Sequence, residues 1–295
     1  MTNRASTLKR ERRTNDRMTL LDDQIIAMLA EDHPQSVRHL SYRMTDPRLA
    51  EPVEKSDRGY RHMQDHRCVK LLRSGCIPYG WIADLSRRGY CVNTYDSAAE
   101  FLRTMSGYYR GNLWRDAESR CEVWAQSRSI AFVLLKDCNE LAVALYPCGG
   151  FSSLSFVHAP AELHNGLGDD PPLVVLYIGD FDPAGVLIDK ALERELPEDL
   201  EPNMKLLFQR IAIKEDQVQE FDLPTKPRKV SDKRSQHVTY TAEAEAMPAA
   251  DLRAILRVEV EALLPEGALD ATPVAEETER AYINQMTALL PGGQR

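Results

Sequence analysis

The chain of 295 residues lacks several features that would assign it quickly. Its six cysteines, Cys68, Cys76, Cys91, Cys121, Cys138 and Cys148, contain no C-x-x-C pair, which argues against a zinc site or a disulfide framework and for reduced thiols. No apolar run approaches the roughly 20 residues of a membrane span, and the first residues are too basic and polar for a signal peptide. A cytoplasmic, nucleoid-associated protein with no membrane partner is expected. There is no Walker G-x-x-x-x-G-K-[ST] loop: Gly149-Gly150 stands in YPCGGFSS without the required lysine. Internal repeats and long low-complexity tracts are missing too.

What is present divides by charge. Residues 1–120 carry 21 Lys+Arg against 16 Asp+Glu, net +5; the rest of the chain carries 16 against 29, net −13. Four of the seven histidines, His33, His39, His62 and His66, lie in the basic part. A basic part joined to an acidic one suits a protein that grips phosphates with the first and holds metal ions with the second. It also suits ordinary surface asymmetry.

Hydrophobic spacing outlines the elements. Residues 1–17 hold six basic and two acidic side chains and form a basic flexible arm. Leu21, Ile25, Met28 and Leu29 place a helix over Met18–Ala30. Pro34 interrupts, and Ser36 caps a second helix holding Val37, Leu40 and Met44, with Arg38 and Tyr42 four residues apart on one face. A third helix is expected over Gly59–Arg73, closed by Gly75. Ile77–Trp81 and Ile82–Leu85 read as a wing or strand before Ser86-Arg87-Arg88, and Ser97–Met105 as a linking helix. These elements suggest a winged-helix or helix-turn-helix unit over residues 18–115.

From Cys121 onward short apolar strands alternate with helical segments, as in an α/β sheet. Strands are expected at Glu122–Ala125, Leu141–Leu145, Leu173–Ile178 and Leu206–Ile213. Helices are expected at Ser129–Asp137, Val186–Leu196 and Met247–Leu264. Pro224–His237 is a polar loop in which Lys226, Arg228, Lys229, Lys233 and Arg234 can track a phosphate backbone or simply face solvent.

The most informative stretch is LVVLYIGDFDPAG, Leu173 to Gly185. Its apolar run suits a strand buried on both faces, and the break at Gly179 leaves Asp180 and Asp182 at the carboxyl end. Residues i and i+2 of an extended segment point the same way, so the two carboxylates can converge on one Mg²⁺. An acidic turn before a helix N-terminus would read the same.

Ser36-Val37-Arg38-His39-Leu40-Ser41-Tyr42, Glu122-Val123-Trp124-Ala125-Gln126-Ser127 and Tyr177-Ile178-Gly179-Asp180-Phe181-Asp182-Pro183-Ala184-Gly185 together resemble the A subunit of topoisomerase VI and its relatives. Those relatives include meiotic double-strand-break proteins and stand-alone minimal A-subunit proteins. The resemblance implies an α+β winged-helix domain, then an α/β Toprim domain over residues 116–295 with a C-terminal helical extension. It implies Tyr42 as nucleophile, with Ser41 replacing the family's first tyrosine, and Arg38 and Arg43 at the DNA. Asp180, Asp182 and position 126 would hold Mg²⁺ or Mn²⁺. A homodimer is also implied, the tyrosine of one subunit working with the metal of the other to break double-stranded DNA and leave 5′-phosphotyrosyl ends. A separate ATPase subunit would be needed for strand passage.

Position 126 departs from the family's pattern, because a glutamate is expected there and the residue is Gln126. A carboxamide is neutral and cannot act as a base, so metal affinity and acid/base work should both weaken. Glu122 lies on the same face of the strand but four residues back, about 13 Å away. Without the resemblance, Tyr42 would read as a core tyrosine among Leu40 and Met44. Two further functions stay open on these residues, a metal-dependent hydrolytic Toprim nuclease and a non-catalytic DNA-binding protein.

Overall fold

The computed structural model describes residues 14–82, 92–148, 171–183, 185, 205–228 and 238–290. The chain forms two compact units, Met1–Ala83 and Asp84–Arg295.

In the first unit, α1 (Asn15–Glu31) begins at Thr14, whose hydroxyl accepts the Arg17 amide, and buries Leu21, Ile25 and Leu29 at four-residue spacing. Helix α2 (Val37–Arg43) is capped by Ser36, whose hydroxyl accepts the His39 amide. The third helical stretch starts at the Ser56 cap and comprises α3 (Asp57–Arg61), a π-helical segment His62–Cys68 and α4 (Val69–Arg73). It closes at Gly75, whose φ of 72° is the left-handed conformation that glycine adopts without a Cβ clash. Leu21, Ile25, Leu29, Leu40, Met44, Met63 and Ile77 form the core.

The strand expected at Ile77–Trp81 is instead a short 3-10 turn, Tyr79–Trp81. Pro78 before it lacks the N–H that a ladder needs, and Ile82 makes only an isolated parallel bridge to Gln35. The remainder of the expected wing, with Ser86-Arg87-Arg88, lies outside the described residues, as does the arm up to residue 13.

In the second unit, β1 (Arg120–Ala125), β2 (Ala144–Pro147), β3 (Leu173–Ile178) and β4 (Leu206–Ala212) form a parallel sheet in the order β2-β1-β3-β4. The protein is therefore mixed α/β with a four-stranded parallel sheet. Helix α5 (Ala98–Ser106) precedes β1, and α6 (Arg128–Glu140) connects β1 to β2. Beyond β4 lie α7 (Glu215–Glu220), the two-residue strands β5 (Lys226–Pro227) and β6 (Tyr240–Thr241), α8 (Ala249–Glu261) and α9 (Ala268–Ala288). One sheet face, with Val123, Ala125, Val174 and Leu176, packs with residues of α6 and α8. The other face carries Trp124, Leu173, Val175 and Tyr177 in a second cluster. Burial on both faces is why β3 reads as an uninterrupted apolar run.

Strand β2 starts three residues later than the spacing suggested. Leu141 and Ala142 close α6 instead, with Ala142 left-handed at φ 52° and the Val143 amide donating to the Cys138 carbonyl. Helix α9 falls within the C-terminal helical extension that the resemblance implies, but no apolar stripe places it, because its buried residues are polar. Glu276 accepts from Arg110 Nε and the Gly111 amide, both at 2.9 Å, and Thr287 is also buried. Helix α5 packs along α9, and the compact units divide at 83/84, whereas the order of predicted elements and the resemblance put the boundary at 115/116. The expected helix Val186–Leu196 lies outside the described residues.

A buried ion pair ties α1 to the third helical stretch. Arg67 Nε donates to Asp22 Oδ1 at 2.8 Å, and Lys70 Nζ lies 3.0 Å from Asp22 Oδ2. Removing one partner strands a buried charge. Asp22→Ala is therefore expected to destabilise the first unit by about 3 kcal/mol, read as a lower urea midpoint.

Candidate functional site

The carboxyl ends of β1 and β3 meet at one point. The Gln126 amide donates to the Ile178 carbonyl at 2.8 Å, carrying the parallel ladder one residue past β1. This brings the Gln126 side chain against the chain after β3, where its Oε1 accepts the Asp180 amide at 2.7 Å. Its Nε2 then faces Asp180 Oδ2 at 3.3 Å. Turning the carboxamide over would set its oxygen against a carboxylate and its NH₂ against an N–H, so the hydrogen-bond network fixes its orientation. Gly179 makes the approach possible. A Cβ there would lie 2.6 Å from both Gln126 Oε1 and the Tyr177 hydroxyl.

The other contacts hold the segment from below and beside. Arg210 of β4 donates through Nη1 to the carbonyls of Gly179 (2.8 Å) and Ile213 (3.0 Å), and its guanidinium lies 5.1 Å from the Tyr177 ring centroid. Phe181 and Ala242 exchange two backbone hydrogen bonds. That pairing brings in the Ala244 amide, which donates to Asp180 Oδ1 at 2.8 Å.

Burial pushes the Asp180 carboxyl up to about 6; the Ala244 amide opposes this, and the negative charges of Glu245, Asp182 and Glu243 add to it. Glu245 is buried and accepts from the hydroxyls of Ser127 (3.1 Å) and Ser129 (2.5 Å). Glu243 pairs with Lys226 at 2.7 Å. Neither glutamate was singled out from the sequence. Their spacing of two in Thr241-Ala242-Glu243-Ala244-Glu245 repeats that of Asp180 and Asp182, and was the available signal.

As they stand, the described donors do not fit a divalent cation. Both Asp180 oxygens accept hydrogen bonds, Asp182 Oδ1 accepts the Gly185 amide, and Gln126 turns its NH₂, not its oxygen, toward the Asp180 carboxylate. Among the described residues no group of three or more His, Cys, Asp or Glu is arranged to hold a metal. Glu122 does not replace the missing carboxylate, since its Oε2 accepts the Trp124 indole N–H at 2.8 Å.

In the first unit, Tyr42 does not join the core that holds Leu40 and Met44. It is half-buried, its ring centroid 5.4 Å from Lys55 Nζ. Ser41, where the family has a tyrosine, is buried. Arg38 is exposed, with its guanidinium 5.5 Å from the Tyr60 ring centroid. Arg43 is engaged within the fold, donating to the Met28 carbonyl at 3.0 Å and pairing with Glu31. Of the loop cations, Arg228 donates to the Val238 carbonyl, and Lys229, Lys233 and Arg234 lie outside the described residues.

Comparisons with protein-family models, curated proteins and solved structures each returned no match. Fold and site define a mixed α/β protein with an acidic cluster at the carboxyl ends of its parallel strands, where open α/β sheets bind ligands. No helix among the described residues is long and apolar enough to cross a membrane.

The raised Asp180 value has a stability consequence. A carboxyl whose folded value of about 6 exceeds its unfolded 3.8 stabilises the fold below the lower value and loses that contribution as pH rises through the upper one. Asp180→Asn should therefore gain on wild type by on the order of 2 kcal/mol between pH 4 and 7, measured by urea unfolding across that range.

Proposed function

We propose that the chain binds double-stranded DNA and that Tyr42 is a strand-opening nucleophile, the chemistry of the topoisomerase VI A subunit and its relatives. In this reading the first unit is a winged-helix domain and the second a Toprim domain. The observation that carries it is Tyr42 itself, a helical tyrosine outside the core, with Lys55 over its ring and Arg38 one turn earlier.

The step balances simply. The Tyr42 phenolic oxygen gives up its proton and attacks phosphorus, the bond from phosphorus to the 3′ oxygen breaks, and the 3′ oxygen takes a proton and leaves as a hydroxyl. The 5′ phosphate stays on Tyr42 as an ester, which preserves the bond for resealing. The exposed Arg38 can hold a phosphate oxygen. A second copy of the chain would supply the other cut, and a separate ATPase subunit any strand passage. Mg²⁺ or Mn²⁺ is the cation the reading calls for, at Asp180, Asp182 and position 126. Since Gln126 spoils that donor set, no step is assigned to the cation.

One observation favours a second reading, a DNA-binding protein without catalysis: the Gln126 NH₂ directed at Asp180. A single experiment separates the two. Wild type and Gln126→Glu are incubated with supercoiled plasmid and Mg²⁺ or Mn²⁺, denatured, and probed for protein-linked 5′ ends. Gln126→Glu should give linked linear DNA, and adding Tyr42→Phe should reduce it by on the order of 10³-fold or more, as when a nucleophile is removed. Cleavage that survives Tyr42→Phe would select a hydrolytic nuclease, and no cleavage by either protein would select DNA binding alone.

A further inference from the structure

The first unit carries an open groove of about 530 Å³ lined by Asp57, Arg58, Arg61, His62 and His66, none of which enters the chemistry above. Arg58, His62 and His66 follow at four-residue spacing along the third helical stretch, and Arg61 flanks them. The lining thus comes from one helix face. The His62 and His66 rings are 5.7 Å apart between centroids, tilted by 44°.

Charge and exposure give the groove its character. Arg58, Arg61 and His66 are exposed, and neither arginine has an ion pair or hydrogen bond of its side chain among the described residues. Buried cations of the same unit are satisfied differently, since Arg67 pairs with Asp22. Asp57 sits in the first turn of α3, where a carboxylate complements the helix N-terminus. That leaves two unpaired guanidinium groups and the exposed His66 imidazole along the groove, a donor set for phosphate oxygens.

The helix face is also held in place. A Cβ at Gly59 would lie 2.1 Å from the Glu54 carbonyl oxygen, so the preceding loop packs directly on α3. Tyr60, between the two arginines, is the ring on which Arg38 lies. The helix widens into π geometry from His62, a departure often found at functional sites.

We infer that this groove binds the phosphodiester backbone of double-stranded nucleic acid through Arg58 and Arg61, with His66 as a further donor. The inference rests on the DNA-binding reading and adds where that contact is made. A groove of this volume open along a helix face exceeds what one phosphate ion fills, and suits a run of backbone.

The test uses the full chain and a short fluorescein-labelled duplex, followed by anisotropy between about 50 and 200 mM salt. Arg58→Ala/Arg61→Ala should weaken binding about tenfold and lower the slope of log affinity against log salt by about 1 to 2. The Arg58→Lys/Arg61→Lys protein should keep most of the slope, and an unchanged circular dichroism spectrum shows that each variant folds. Equal affinity and slope in wild type and the alanine protein would overturn the groove while leaving DNA binding in place. No duplex binding by wild type would overturn both. Thermal stabilisation of wild type by inorganic phosphate, lost in the alanine protein whose duplex binding is unchanged, would assign the groove to free phosphate and overturn the nucleic-acid source.

Discussion

The second unit's site depends on one contact, the Gln126 carboxamide against Asp180. Its oxygen takes the Asp180 amide and its NH₂ meets the Asp180 carboxylate, so a single side chain joins the ends of β1 and β3. A hydrogen bond to a charged group contributes about 1.5 to 3 kcal/mol, and here it offsets part of the repulsion from Asp182, Glu243 and Glu245. With a glutamate at 126, a second carboxylate oxygen would stand near Asp180 Oδ2, and the pair would demand a proton or a metal ion. The amide removes that demand.

The same cluster explains why its neighbours are the residues they are. Gly179 must lack a side chain, because Gln126 and Tyr177 fill the space its Cβ would need. Arg210 gathers the carbonyls of Gly179 and Ile213, which would otherwise add negative dipoles beside an already acidic site. In the first unit the division of labour is different. Asp22, Arg67, Glu51 and Arg17 satisfy one another near the core, whereas Arg58 and Arg61 are left facing solvent. Cations that a fold does not use for itself are the ones available to a ligand.

Much of this was legible in the sequence where one physical signal dominated. The caps Ser36 and Ser97, the stop at Gly75, and the bounds of β3 follow from residue type and period alone. The juxtaposition of position 126 with Asp180 was implied by the family resemblance, not by period or spacing. Signals failed where tertiary contacts decided. Helix α9 buries Glu276 and Thr287, so no apolar stripe announces it. The hydrogen bond from Arg43 to the Met28 carbonyl near the end of α1 is a tertiary contact that no local pattern announces. The direction of the Gln126 amide, the feature that decides the site's character, depends on partners 54 residues away.

The most direct measurement of that character is thermal unfolding of wild type and Gln126→Glu with and without millimolar MgCl₂ or MnCl₂. If the carboxamide stands in for the cation, wild type melts at the same temperature in either condition. Gln126→Glu melts lower without the cation and recovers when it is added. Stabilisation of wild type by the cation as large as that of Gln126→Glu would contradict the account.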